Sequence, residues 1–309
     1  MISAIGSNYA GVLQAAHDAA SSQHYPQGAL YVVATPIGNL ADISLRALHV
    51  LSLVESIACE DTRHTQTLLR AYGIDKSAAQ LLALHQHNET QATAQVVERL
   101  RLGQRVAYVS DAGTPAISDP GARLVAGVRS GGLKVVPLPG ASSVTAALSV
   151  AGVVADGDAA SGFIFAGFLS ARAAERALAV QALAAEARSV VLLEAPHRIV
   201  ATALALAALG GRPVTIGREL TKQFEEIATV QAQDFPAWLG EQPNRLRGEF
   251  VLVLHAAKAT GEAGQDLRVL KLLLAELPLK TAVKLAADIT GESRNALYDA
   301  ALALKKDAT

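Results

Sequence analysis

From residue 29 to residue 150 the chain repeats one unit. A short apolar run rich in β-branched residues is followed by a Gly-, Pro- or Asp-bearing loop, then by apolar residues at helical spacing. Residues 30–34, 56–59, 81–84, 105–110 and 134–138 read as strands. Helices are expected over 62–72, 89–102 and 141–150, and from about Asp42, with Leu45, Leu48 and Leu51 on one face. Asp42 suits the N-cap of that helix, and Asp119-Pro120 reads as an N-cap followed by a first-turn proline. Strands that alternate with helices need crossover connections. That pattern predicts an α/β fold with a mostly parallel sheet covered on both faces.

A stretch rich in Gly, Ala and Asp, 151–161, reads as a linker. A second α/β unit follows, with strands at 163–166, 189–194 and 214–217, helices at 171–187 and 198–209, and a closing antiparallel pair at 225–230 and 249–255. The domains are therefore expected at 28–150 and 151–258. After a polar connection, three helices at about 266–276, 280–290 and 293–304 predict a small helix-turn-helix-like domain at 266–305, with Gly291 ending its second helix. Residues 1–27 hold no Lys or Arg, which argues against a secretory or transit signal, and read as a flexible leader with at most one weak helix.

Lys plus Arg number 27 and Asp plus Glu 28, so the net charge is −1 and a uniformly basic nucleic-acid coat is excluded. The single cysteine, Cys59, excludes a disulfide framework and any multi-thiolate metal site, and fits a reducing cytoplasm. The longest apolar run, 199–209, is too short to span a bilayer.

Chemistry is expected in the loops at the carboxyl ends of strands, where open α/β sheets bind ligands. Three stand out: Thr35-Pro36-Ile37-Gly38-Asn39, the segment from Ser110 to Gly121 with Asp111-Ala112-Gly113-Thr114-Pro115, and Pro137 to Ser143. Such residues also make plain turns. Neither a Walker loop nor a G-x-G-x-x-G turn is present, so a nucleoside held without polyphosphate fits best, S-adenosylmethionine among them. Other polar loops are 59–65, 84–89, 194–198 and 217–222. His64, His85, His87 and Asp61 are also suitable metal ligands, although H-x-H alone is weak. Arg63, Arg198, Arg218 and Lys222 could pair RNA phosphates or simply the neighbouring Glu60, Glu194 and Glu219.

The strings Leu30-Tyr31-Val32-Val33-Ala34-Thr35-Pro36-Ile37-Gly38-Asn39, Glu60-Asp61-Thr62-Arg63-His64-Thr65, His85-Gln86-His87-Asn88-Glu89, Ser110-Asp111-Ala112-Gly113-Thr114-Pro115, Asp119-Pro120-Gly121 and Pro137-Leu138-Pro139-Gly140 stand in this order. So do Glu194-Ala195-Pro196-His197-Arg198, Arg218-Glu219-Leu220-Thr221-Lys222 and Gly248-Glu249. Together they resemble the ribosomal RNA small subunit methyltransferase I family, a branch of the tetrapyrrole methylase superfamily, over about residues 28 to 305. The resemblance implies a two-domain tetrapyrrole-methylase-like (class III methyltransferase) fold with a small C-terminal helical domain. It also implies a homodimer, S-adenosylmethionine in the interdomain cleft, and 2′-O-methylation of cytidine 1402 in 16S rRNA of the small ribosomal subunit. A methyltransferase acting on a tetrapyrrole or other small molecule is the alternative, and a nucleoside-binding regulator or a metal hydrolase are more distant ones.

By the superfamily pattern, cofactor contacts fall on Pro36, Gly38, Asp111, Ala112, Gly113, Thr114, Gly140, Ser142, Ser143, Leu193, Glu194, Gly248 and Glu249. Leu193 stands where many members have an aromatic residue. A ribose hydroxyl is a weak nucleophile and needs a proton acceptor within hydrogen-bond reach. Glu60, Asp61, His64 and Asp111 are candidates, with Arg63 beside them. His87, Asn88, Arg198 and Arg218 are candidates for placing the substrate. From 266 onward the tail carries seven basic and six acidic residues, so it is not a strong electrostatic arm. Arg294, Asn295 and Tyr298 on its last helix could still touch RNA.

Overall fold

The computed structural model describes residues 11–85, 87–118, 120–153, 162–257, 263–291 and 293–306. The first domain alternates β1 (Ala29–Val33), α2 (Leu45–Leu53), β2 (Ser56–Cys59), α3 (Thr62–Ala71), β3 (Leu81–Ala83), α4 (Glu89–Arg101), β4 (Val106–Val109), α5 (Ala122–Ser130), β5 (Lys134–Leu138) and α6 (Ser143–Val150). Helix α1 (Val12–Ala20) precedes them. The sheet order is β3-β2-β4-β1-β5, and every pairing is parallel. The inner strands β2 and β4 are buried at every position, as near-continuous apolar runs require, while β3 and β5 form half-exposed edges.

Strand alternation sends successive residues to opposite faces. Leu30, Ala58, Val106 and Tyr108 meet Val96 and Leu100 of α4 and Leu124 and Val128 of α5. Tyr31, Val33, Ile57 and Val109 meet Leu48 and Leu51 of α2 and Leu69 of α3. Truncating one of these fully buried leucines to Ala would cost about 2–5 kcal/mol.

Three expectations are corrected here. The one helix expected in the leader forms as α1, but it is packed rather than loose: its Ala16 is in the core beside α2, and the His17 and His49 rings lie 5.7 Å apart. Apolar residues at i, i+3 and i+4 (Val12, Leu13, Ala16 and Ala20) give that helix a face to bury. Helix α2 begins after Ser44, whose side chain accepts the Ala47 N–H at 3.1 Å, while Asp42 sits in a preceding 3-10 turn capped by Asn39. Helix α5 begins at Ala122 rather than at Pro120; Gly121, at φ 124°, precedes it and donates its N–H to Glu89 Oε1 at 3.0 Å. Asp119 lies outside the described residues.

The second domain contains β6 (Phe163–Gly167), α7 (Ala173–Leu183), β7 (Ser189–Glu194), α8 (Ile199–Leu206), β8 (Pro213–Arg218), β9 (Glu226–Gln231), α9 (Phe235–Gly240) and β10 (Phe250–Leu254). Its order is β6-β7-β10-β8-β9, with only β6–β7 parallel. The expected closing pair does not form. Strand β10 is buried at all five positions and lies between β7 and β8, while β9 alternates half-buried and exposed residues and takes the edge beside β8. The continuous apolar run Phe250-Val251-Leu252-Val253-Leu254 needs cover on both faces, and only a central position gives it.

The two domains meet through α6. Its Val144 and Ala147, with Ala151 after it, pack on Val191, Val251 and Val253 of the second sheet, beside Leu220. In the tail, α10 (Ala263–Glu276), α11 (Leu279–Thr290) and α12 (Arg294–Lys306) enclose their own small core of Leu270, Val283, Ala286, Leu297 and Ala301. Gly291, at φ 77°, ends α11 in the left-handed conformation that glycine adopts without strain. Arg294 pairs with Asp288 at 3.1 Å on an exposed face.

Candidate active site

The loops after β1, β4 and β5 are laced together. Thr35 and Gly113 exchange two backbone hydrogen bonds of 3.0 Å, and Thr114 Oγ1 donates to the Ala141 carbonyl at 3.1 Å. Gly113 holds φ 79°, and a Cβ there would sit 3.2 Å from Ile37 Cγ2. A Cβ on Gly140 would come within 2.9 Å of Ala34 Cβ, so this glycine lets two loops touch. Facing them is the second domain's edge, made of Leu193 to His197 at and beyond the end of β7, Leu220 and Lys222 after β8, and Glu249 to Val251 entering β10.

Between the domains lies a cleft of about 440 Å³. Ile37, Val144, Leu193, Leu220, Phe250 and Val251 make it apolar, and the Thr114, Ser142 and Ser143 side chains add polar groups on one wall. Helix α6 opens at that wall with no side-chain cap, and its first-turn N–H groups have no partner within the helix.

The structure brings Ala112, Gly113, Thr114, Ser142, Ser143, Leu193, Glu194 and Glu249 to this cleft, while Pro36, Gly38, Asp111, Gly140 and Gly248 do not line it. Glu194 is fully buried. It accepts the Ala195 N–H at 2.8 Å and the Thr202 hydroxyl, and its Oε1 lies 3.1 Å from Arg198 Nε. Glu249 exchanges both peptide groups with Glu219: its carbonyl accepts the Glu219 N–H at 2.9 Å, and its own N–H donates to Glu219 Oε1 at 3.0 Å. Its backbone is therefore spent, and only its side chain faces the cleft.

The polar strings expected to do chemistry lie further along the same sheet edge. Asp61 caps α3, accepting the Arg63 N–H at 2.8 Å and the His64 N–H at 3.3 Å, and these bonds hold its carboxyl below the usual range. Its own N–H donates to Asp111 Oδ1 at 3.3 Å. Neither Asp61, Glu60 nor His64 lines the cleft. Arg63 is 91 % exposed, and its guanidinium pairs with Asp61 at 3.4 Å. His87 is exposed. Asn88 braces its own turn by accepting the His85 N–H and donating to the Ala83 carbonyl, both at 2.9 Å. Two arginines assigned to substrate are turned inward. Arg198 donates to the Leu169 carbonyl beside Glu194. Arg218 is 5 % exposed and divides its donors among Glu226 and the carbonyls of Phe224, Asn244 and Arg247. Among the described residues no three His, Cys, Asp or Glu side chains are placed to hold a metal, so His64, His85, His87 and Asp61 do not converge on one.

Lys222 takes the second of the two readings that the sequence offered, pairing with a neighbouring glutamate. Its Nζ lies 2.8 Å from Glu219 Oε1 and 2.9 Å from Glu249 Oε2. Burial pulls its ammonium down, but the two carboxylates outweigh that and hold it above the ordinary lysine value. Glu219 and Thr221 hold φ 51° and 67°, a left-handed backbone that costs non-glycine residues about 1–3 kcal/mol each. Leu220, Phe250 and Val251 also escaped notice, because apolar residues at strand ends look like core.

A model of the tetrapyrrole (corrin/porphyrin) methylases matches residues 29–236, and one of the RsmI C-terminal HTH domain matches 260–305. The ribosomal RNA small subunit methyltransferase I of Escherichia coli O157:H7 is 47 % identical over 280 residues, 89 % of this chain and 95 % of that protein. The chain belongs to the ribosomal RNA small subunit methyltransferase I family. Solved structures share the family's two-domain fold. A cobalt precorrin-4 methyltransferase covers 75 % of this chain and 98 % of its own, at 18 % identity and TM-score 0.55. A uroporphyrin-III C-methyltransferase from Thermus thermophilus, complexed with S-adenyl homocysteine, covers 73 % and 96 %, at 17 % identity and TM-score 0.50. No helix among the described residues is long and apolar enough to cross a membrane.

Proposed function

We propose that this chain is an S-adenosylmethionine-dependent methyltransferase that methylates the 2′-hydroxyl of cytidine 1402 in 16S rRNA, on the small ribosomal subunit, in the cytoplasm and as a homodimer. Its membership of the family carries the activity, and the cleft supports the choice of donor. A pocket of about 440 Å³ with an apolar floor and a few converging hydroxyls suits a nucleoside-sized ligand. No glycine cradle for a polyphosphate is present, which fits a nucleoside joined to an amino acid. When bound, this donor supplies a methyl group on a positively charged sulfur.

The chain's own residues do the rest by placement. Ile37, Leu193 and Val251 take the flat apolar part of the ligand and exclude water. The hydroxyls of Thr114, Ser142 and Ser143, with the uncapped start of α6, receive its polar and anionic groups. Arg63 and His87, exposed on the same edge, receive RNA phosphates. Asp61 and Asp111 fix the loop that carries Arg63.

The test is methyl transfer from labelled donor to small ribosomal subunits from a strain lacking this protein, beside naked 16S rRNA. Label at the 2′-oxygen of one cytidine of the subunit is expected. Label appearing only on a tetrapyrrole acceptor would replace this reading with the small-molecule one.

A further inference from the structure

The hydroxyl that accepts the methyl group must lose a proton, and the carboxylates around the cleft differ sharply in their freedom to take it. Asp61 is spent on a helix cap, Asp111 accepts the Asp61 N–H, and Glu194 is buried among its own donors. Glu249 is the contrast. Its side chain is 77 % exposed at the cleft, with Oε2 on Lys222 and, among the described residues, no hydrogen-bond partner on Oε1. Lys222 also lines the cleft. An ammonium has three N–H donors; two go to Glu219 and Glu249, which leaves one. Glu219, Lys222 and Glu249 together carry one net negative charge, as a proton acceptor should.

The chain makes room for this cluster from both sides. A Cβ on Gly38, from the first domain, would sit 2.4 Å from Lys222 Cγ, and one on Gly248 would sit 2.5 Å from Glu219 Cγ. Glu219 and Thr221 adopt left-handed backbone on either side of Leu220, which turns Lys222 toward the cleft. Strain and clearance thus meet on the same side chains.

We propose that Lys222 and Glu249 hold the methyl-accepting hydroxyl, with the remaining N–H of Lys222 donating to its oxygen and the open oxygen of Glu249 taking its proton. Glu219 is a positioning residue that fixes Lys222 and the Glu249 backbone. An oxygen lone pair forms the new O–C bond as the C–S bond breaks and leaves its electron pair on sulfur. The O–H proton passes to Glu249 and from there to water. This inference rests on the reading of the chain as a ribose methyltransferase.

The experiment compares full-length wild type with Lys222→Ala, Lys222→Arg and Glu249→Gln. It measures donor affinity by calorimetry, thermal midpoint, and the single-turnover rate on small subunits across pH. Donor affinity should stay within about threefold of wild type while the Lys222→Ala and Glu249→Gln rates fall by about 100-fold or more. Lys222→Arg should recover part of the rate. The exposed position of Glu249 means that Glu249→Gln should keep the wild-type thermal midpoint. Unchanged rates beside an active wild type would overturn this inference alone. A loss that follows weakened donor binding would overturn it too, assigning the pair to the donor. Wild type inactive on every subunit preparation would overturn the functional reading and this inference with it.

Discussion

Gly38 and Lys222 face each other across the domain boundary with no room for a methyl group between them, since a Cβ on Gly38 would lie 2.4 Å from Lys222 Cγ and 3.0 Å from Thr221 Oγ1. Gly38 is not in the left-handed region, so Gly38→Ala changes this contact without straining its own backbone. The clash is near the root of the lysine, where the side chain has little freedom. We expect Gly38→Ala to fold and to lose about tenfold or more of its turnover through displacement of Lys222. Full turnover with normal donor affinity would show that the loops adjust without consequence.

The exposed Arg63 guanidinium is paired with Asp61. Arg63→Ala should lower kcat/KM on small subunits by about ten- to 100-fold while calorimetry finds donor affinity unchanged. The difference from wild type should narrow as salt rises, because an exposed arginine–phosphate contact is screened. Equal activity at low salt would remove Arg63 from substrate placement.

Thr202→Val deletes one of the hydrogen bonds that satisfy the buried Glu194 carboxylate. The cost should be about 1–3 kcal/mol, read as a lower urea midpoint. A midpoint equal to that of wild type would mean that Ala195 and Arg198 suffice.

Burial pushes the Cys59 thiol up to about 11, with Asp111 and Asp61 adding to that against a hydrogen bond from Thr65. The native protein should therefore resist thiol reagents at neutral pH and react rapidly once denatured. Fast labelling of the native protein would contradict the burial of β2.

Burial holds His255 below the ordinary histidine value, and Arg212 pushes the same way; burial and then His17 do this to His49. Such a histidine stays neutral in the fold while the unfolded chain takes up a proton. Stability is then full above the unfolded value, near 6.5, and is lost as pH falls below it. Urea midpoints should drop between about pH 7 and about pH 5.5, and His255→Gln should flatten part of that slope. An unchanged slope would clear His255.

How much of this was legible depends on which force decides each feature. Strand positions were, because runs such as Ser56–Cys59 and Lys134–Leu138 carry their own apolar signal. The place of β10 was not, since an antiparallel pair and a central strand look alike until burial on both faces is counted. Asp42 and Ser44 are both good caps two residues apart, and the backbone turn capped by Asn39 decided for Ser44. Arg218 looked like a phosphate ligand because two of its partners, the carbonyls of Asn244 and Arg247, come from a loop distant in sequence. The loops of the cleft were legible through their glycines. The pairing of Lys222 with Glu219 was legible as one of two readings, but the addition of Glu249 and the turn toward the cleft were not, because φ values at Glu219 and Thr221 leave no trace in residue type.

The central position of β10 also orders events during synthesis. The first sheet has all its strands once residue 138 is made, whereas β7 and β8 each keep an unpaired inner edge until residues 250–254 arrive. A ribosome making this chain therefore releases a first domain free to fold early and a second that stays open until its last strand emerges. The cleft between them comes into being only then, so a nascent chain that stalls short of β10 carries a folded half without the wall that Glu249 and Val251 supply.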